Sequence, residues 1–172
     1  VNQHGQPTLA AAEAARENGN SPNTVVSSAV AICGKKMVQK AMDASKALLE
    51  LFQFSKMNDA REKFDYAEQL KSADKYKDAL LADGEDPCAE KLAACLNKAG
   101  HSVFIQFVQD YAKVNGGKLS TDALFAAVWT TLGWAALRGK KISTGTLTRL
   151  PWYSRIYSTI VGVSAPVDRH GE

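Results

Sequence analysis

Apolar positions recur at spacings of three and four over most of the chain, and sustained alternation of apolar with polar residues is scarce, so the pattern predicts helices and few strands. Leu9 to Glu17 reads as a short alanine-rich helix, opened by Thr8 after Pro7 and closed by Asn18-Gly19-Asn20. From Asn23 or Thr24 to about Lys56, the residues Val26, Val30, Cys33, Met37, Ala41, Ala44, Leu48 and Leu51 trace one long helix, about 50 Å at the usual rise. Gly34 inside it is read as a close helix contact in preference to a break. Asn58 or Asp59 opens a third helix reaching about Ala82, with a narrow stripe of Phe64, Ala67 and Leu70 and a stop at Gly84.

Asp86-Pro87 is a strong start signal for a fourth helix ending at Gly100. Its Cys88, Leu92, Cys95 and Ala99 share one face, which is read as core. Ser102 opens a fifth, with Phe104, Phe107, Val108 and Tyr111 on one side and the loop Asn115-Gly116-Gly117 after it. Ser120, Thr121 and Asp122 cap the most apolar segment, Ala123 to Leu137, whose large side chains are spread around more than one face, so that helix is expected to be buried on most sides. Gly139 is the expected left-handed stop, and 140–148 reads as loop. From Pro151, Trp152, Ile156 and Ile160 suit a last helix, although Tyr153, Tyr157, Thr159 and Val161 would also serve a strand; helix is chosen.

The expected fold is therefore all-α, an irregular bundle of six to seven helices with a long helix near the N-terminus and a buried apolar helix around 121–138. Residues 1–22 form an arm with a short helix, 23–163 a single helical domain and 164–172 a flexible tail. The 172 residues, 45% of them hydrophobic, suffice for one domain with its own core. The longest uncharged run, Ala123 to Leu137, has 15 positions, short of the roughly 20 that span a bilayer. Cys33, Cys88 and Cys95 are an odd set, which favours a reducing compartment or the interior of an assembled particle. The chain begins at Val1 without a secretory pattern, and processing is one explanation of that start.

Chemistry is sparse. His4, His101 and His170 form no ligand pair, and Cys95 with His101, the nearest approach to a nucleophile and base, is split by Gly100. Among the carboxylates, Glu50 comes nearest to an apolar setting. Gly133 to Lys141 resembles a phosphate-binding loop, but has five residues between its glycines, lacks the following serine or threonine, and lies at the end of a helix and not at the start of one. No catalytic residue, metal ligand or cofactor is assigned.

The net charge of +3 conceals a separation. Asp59 to Glu90 carries ten acids against five bases, whereas five bases and no acid lie between Asp122 and Asp168. Asp59, Glu62, Asp65, Glu68, Asp74 and Asp78 form a candidate acidic docking face, and Arg138, Lys140, Lys141, Arg149, Trp152, Tyr153 and Arg155 a candidate contact for a polyanion or a partner. The expected function is a non-enzymatic helical subunit of a larger assembly, acting through protein contacts and self-association. One alternative is a nucleic-acid-associated shell or nucleocapsid-type protein using the basic 138–155 region. Another is a helical small-ligand carrier or enzyme, with its pocket between the tryptophan helix and Phe104 to Tyr111. Charge reversal at Arg149 and Arg155 is expected to lower the association state, and reversal at Lys35 and Lys36 is not.

Overall fold

The computed structural model describes residues 7–168, with side chains to Ser164. Its helices are α1 (Pro7–Glu17), α2 (Pro22–Ala31), α3 (Gln39–Phe52), α4 (Ala67–Ser72), α5 (Lys77–Leu80), α6 (Pro87–Ala99), α7 (Val103–Val114), α8 (Thr121–Arg138) and α9 (Thr144–Asp168). Two 3-10 turns, Lys35–Val38 and Ala73–Tyr76, complete the helical elements, and β1 (Leu81–Ala82) pairs antiparallel with β2 (Lys118–Leu119). The fold is all-α with this one small ribbon, which the sequence pattern does not announce.

Two compact units emerge. Among the described residues, one comprises 7–38 with the chain from Trp152 onward, and the other 39–151. Residues 164–168 continue α9, so the expected tail is helical there, and the rest of it lies outside the described residues. The units divide within α9 after Pro151, whose missing N–H leaves a gap in the helix ladder.

The expected long helix over 23–56 is two helices joined by a turn. Gly34 separates α2 from the 3-10 turn, and a Cβ there would meet nothing within 4 Å, so the glycine marks a break and no close contact. In the unit of the chain ends, α1 and α2 form a helical hairpin around Ala12, Val25 and Ala29, joined by Val163 of α9. Thr8 is buried within the first turn of α1 and does not precede it.

In the other unit α8 packs against α3, α5, α6 and α7. Ala44 and Ala47 on α3 and Ala123, Ala126 and Ala127 on α8 are all fully buried, and such small side chains let helix axes approach closely. Phe52 contacts Phe64, Phe104 and Phe107 at ring-centroid distances of 5.8, 5.0 and 5.3 Å, and Phe104 meets Trp134 at 5.0 Å. Aromatic side chains thus fill the space between Phe104 and Trp134. Burial of α8 is broad, as its composition predicts, with Leu132 the large exception at 62% exposure.

The expected helix over 59–82 starts only at Ala67. Two carboxylates bind amides two residues on, Asp59 Oδ1 accepting from Arg61 N at 2.8 Å and Asp65 Oδ1 from Ala67 N at 3.0 Å, and such local turns compete with a helix. Tertiary bonds complete the competition: Trp134 Nε1 donates to Met57 O at 3.0 Å and Val103 N to Ala60 O at 2.9 Å, with Met57 and Ala60 buried. The acidic cap signal is therefore real but closes turns.

Helix ends follow one geometry at three places. Behind α1, α7 and α8 the chain closes with a six-to-one backbone bond, from Asn20 N to Ala15 O, Gly117 N to Ala112 O and Lys141 N to Ala136 O. The left-handed residue is Gly19 (φ 73°) in the first and Gly116 (φ 55°) in the second. In the third it is Lys140 (φ 57°), while the expected stop, Gly139, has φ −77°. A lysine there costs about 1 kcal/mol relative to glycine.

Candidate interaction surfaces

All six acidic candidates, Asp59, Glu62, Asp65, Glu68, Asp74 and Asp78, are exposed, but they are distributed over turns, α4, the second 3-10 turn and α5 and do not line one helix. The basic candidates divide between the units. Arg138, Lys140, Lys141 and Arg149 are exposed in the unit spanning 39–151, and Arg138 lies over the Trp134 ring at 6.0 Å. Trp152 and Arg155, half-buried, and Tyr153, exposed, belong to the unit of the chain ends. The ion pairs Lys40–Asp83, Lys46–Asp43 and Lys113–Asp110 join neither charged set to the other among the described residues.

Sequence reasoning missed a contact that changes the choice of controls. The turn after Gly34 carries Lys35 over the Trp152 ring at 5.1 Å, and Trp152 Nε1 donates to Cys33 O at 2.9 Å. Lys35 therefore belongs with the aromatic candidates, and reversing Lys35 and Lys36 is no neutral control. Only the i, i+1 position of Trp152 and Tyr153 was legible; a lysine 117 positions away along the chain carries no local signal for it.

The cysteines also depart from expectation. Cys33 is buried, with its Sγ 3.9 Å from Thr159 Oγ1, but Cys88 and Cys95 are exposed. α6 instead buries Ala89 and Ala93, with Leu92 and Leu96 packed partly against the core, because alanines admit close backbone approach. A thiol reagent such as dithiobis-nitrobenzoate is accordingly expected to titrate two thiols in the native protein and the third only on unfolding; three reactive native thiols would contradict the burial of Cys33. His101 is turned toward Glu62, its Nε2 lying 3.3 Å from that carbonyl oxygen. Glu50 accepts a hydrogen bond from the Tyr76 hydroxyl. Gly133 of the loop-like sequence lies inside α8 against Leu147, where a Cβ would fall 2.4 Å from Leu147 Cδ1, so its role is helix packing.

At the start of α8, burial pushes the Asp122 carboxyl up, the Lys40 ammonium opposing and Asp86 adding to the rise. Tyr66 donates to Asp110 Oδ2 at 2.7 Å; burial raises the Asp110 carboxyl, but the Tyr66 and Lys113 bonds outweigh it and hold it below the usual range. Among the described residues, no three His, Cys, Asp or Glu side chains are placed to share a metal ion.

Two open grooves lie on the unit spanning 39–151. The larger, about 820 Å³, sets Glu85, Asp86 and Glu90 with Lys113 and Lys118 over a floor that includes Ala93 and Ala112. The smaller, about 310 Å³, is apolar, lined by Leu96, Ala99, Ile105, Val128 and Leu132 with Arg61 and His101 among its polar residues. No helix among the described residues is long and apolar enough to cross a membrane. These features define an all-α protein with charged and apolar surface patches. No family model, curated protein or solved structure matches the chain.

Proposed function

We propose that the chain is a non-enzymatic helical subunit of a larger assembly, acting through protein contacts that include contacts with copies of itself. The observation that carries this reading is the exposure of two large apolar side chains on one unit. Phe54 is 90% exposed, and Leu132, at 62%, stands beside the apolar groove of Leu96, Ile105 and Val128. Uncovered apolar area of this kind marks protein contact sites, and an exposed apolar knob with an apolar groove elsewhere on the same chain suits head-to-tail association. The exposed acidic and basic sets add direction, because opposite charges on one chain orient one copy against the next.

Light scattering coupled to size-exclusion chromatography tests it. The parent chain is expected as a defined multimer, and Phe54→Ser or Leu132→Ser, both at exposed positions, is expected to shift the population to lower mass by weakening association about tenfold or more, the effect of 1.5–3 kcal/mol for one large apolar side chain. A parent that stays monomeric at high concentration, or two variants that assemble like the parent, overturns the proposal.

A further inference from the structure

We infer that the unit formed by the chain ends binds single-stranded nucleic acid through Lys35, Lys36, Trp152, Tyr153 and Tyr157. This goes beyond the assembly reading, since it uses the other unit and a different partner. The site is built by tertiary structure. Gly34 breaks the helix and turns Lys35 and Lys36 outward on the 3-10 turn, both exposed. Trp152 is held by its indole bond to Cys33 O, with the Lys35 ammonium over its ring and the Tyr153 ring 5.5 Å away at a 32° tilt. A stacking group fixed in this way loses little freedom when a base lies against it.

Tyr153 and Tyr157 then stand four residues apart on α9, on one face and about 6 Å apart along the axis, 42% and 74% exposed. An exposed tyrosine face suits an unstacked base of any identity, and the Lys35 ammonium over Trp152 with the exposed Lys36 suits the phosphates. Charge selects this ligand class over an acidic protein helix only in combination with the rings. Neither 22–38 nor 152–164 contains a single acidic residue, so nothing in these segments repels a phosphate backbone. Duplex is a poor fit, because its bases are already stacked and offer no face to the tyrosines. Arg138, Lys140, Lys141 and Arg149 lie in the other unit and are not needed by this site.

The test uses the full chain with fluorescein-labelled oligo(dT) and oligo(U) of 20 nucleotides, a duplex of equal length, and anisotropy at several salt concentrations. The single strands are expected to bind more tightly than the duplex, with affinity falling as salt rises. Tyr157→Ala is expected to weaken single-strand binding about tenfold, Tyr157→Phe to retain it, and Lys35→Gln with Lys36→Gln to flatten the salt dependence by one to two phosphates. Equal binding of duplex and single strand, or unchanged binding by Tyr157→Ala, overturns the inference. So does loss of binding on Lys140→Glu with Lys141→Glu alone, which would move the site to the other unit. Light scattering on the same Tyr157→Ala chain separates the two proposals: reduced mass for this variant, together with a parent chain that binds no oligonucleotide, would make this face a protein contact and overturn the inference. A monomeric parent that still binds single strands would uphold it while the assembly reading falls.

Discussion

Replacing Trp134 by alanine is expected to lower the unfolding free energy of the unit built on α8 by about 3–5 kcal/mol, the cost of deleting a large buried aromatic side chain. Three losses combine. The indole is almost fully buried, it meets Phe104 edge-on at 5.0 Å, and its Nε1 donates to Met57 O at 3.0 Å. The last contact is what draws the loop after α3 inward. Without it, the buried Met57 carbonyl has lost this donor, adding a desolvation cost of about 1–3 kcal/mol within that total. Trp134→Phe keeps the ring contact and loses only the bond and some volume, so its cost is expected to fall between parent and alanine variant. Urea denaturation followed by circular dichroism measures both. An alanine variant within 1 kcal/mol of the parent would contradict the packing described here.

Asp86→Ala is expected to cost about 1–2 kcal/mol at neutral pH and progressively less in acid. The Asp86 carboxylate joins two helix starts: it precedes Pro87 of α6 and accepts from Thr121 N and Thr121 Oγ1 of α8, each at 2.8 Å. Its side chain is half-exposed, which keeps the magnitude below that of a buried charged bond. Burial acts to raise this carboxyl, and the bonds from Thr121 and from the Cys88 and Ala89 amides outweigh it, so the folded-state pKa lies below the ordinary carboxylate range. A group depressed on folding stabilises fully above its unfolded pKa and loses that contribution as pH falls through the folded one. The difference between parent and variant should therefore be constant above about pH 5 and shrink below pH 4. Asp122 works in the opposite sense, because a carboxyl raised by burial opposes folding when ionised and is relieved on protonation. Paired denaturation curves at pH 7 and pH 3 check the sign; an alanine penalty that grows in acid would refute the assignment.

The two proposed surfaces were legible to different degrees. Charge separation is a one-dimensional property, and exposure of every acidic candidate follows from the cost of burying an unpaired carboxylate. The pairing of Lys35 with Trp152 depends on the break at Gly34 and on the indole bond to Cys33 O, and has no signature in spacing. Phe54 looks like the last apolar residue of a helix, and its exposure arises because α3 ends at Phe52 and the following turn carries it away from the core.

By itself the sequence determined the all-α class and helices α6, α7 and α8. In each, a start signal and a glycine near the end bracket an apolar stripe wide enough to stabilise the helix through burial, and Ser102 and Ser120 do cap α7 and α8 through their side chains. Tertiary structure decided the rest. It turned the acidic caps of 59–66 into loop anchors, because buried carbonyls there found donors in Trp134 and Val103. It chose the alanine face of α6 over the cysteine face, left Lys140 in a conformation that glycine prefers, and grouped the two chain ends into one unit. Local patterning encodes whether a segment has an apolar face, whereas which face is covered depends on neighbours distant in the chain, and their positions are set only when the whole core packs.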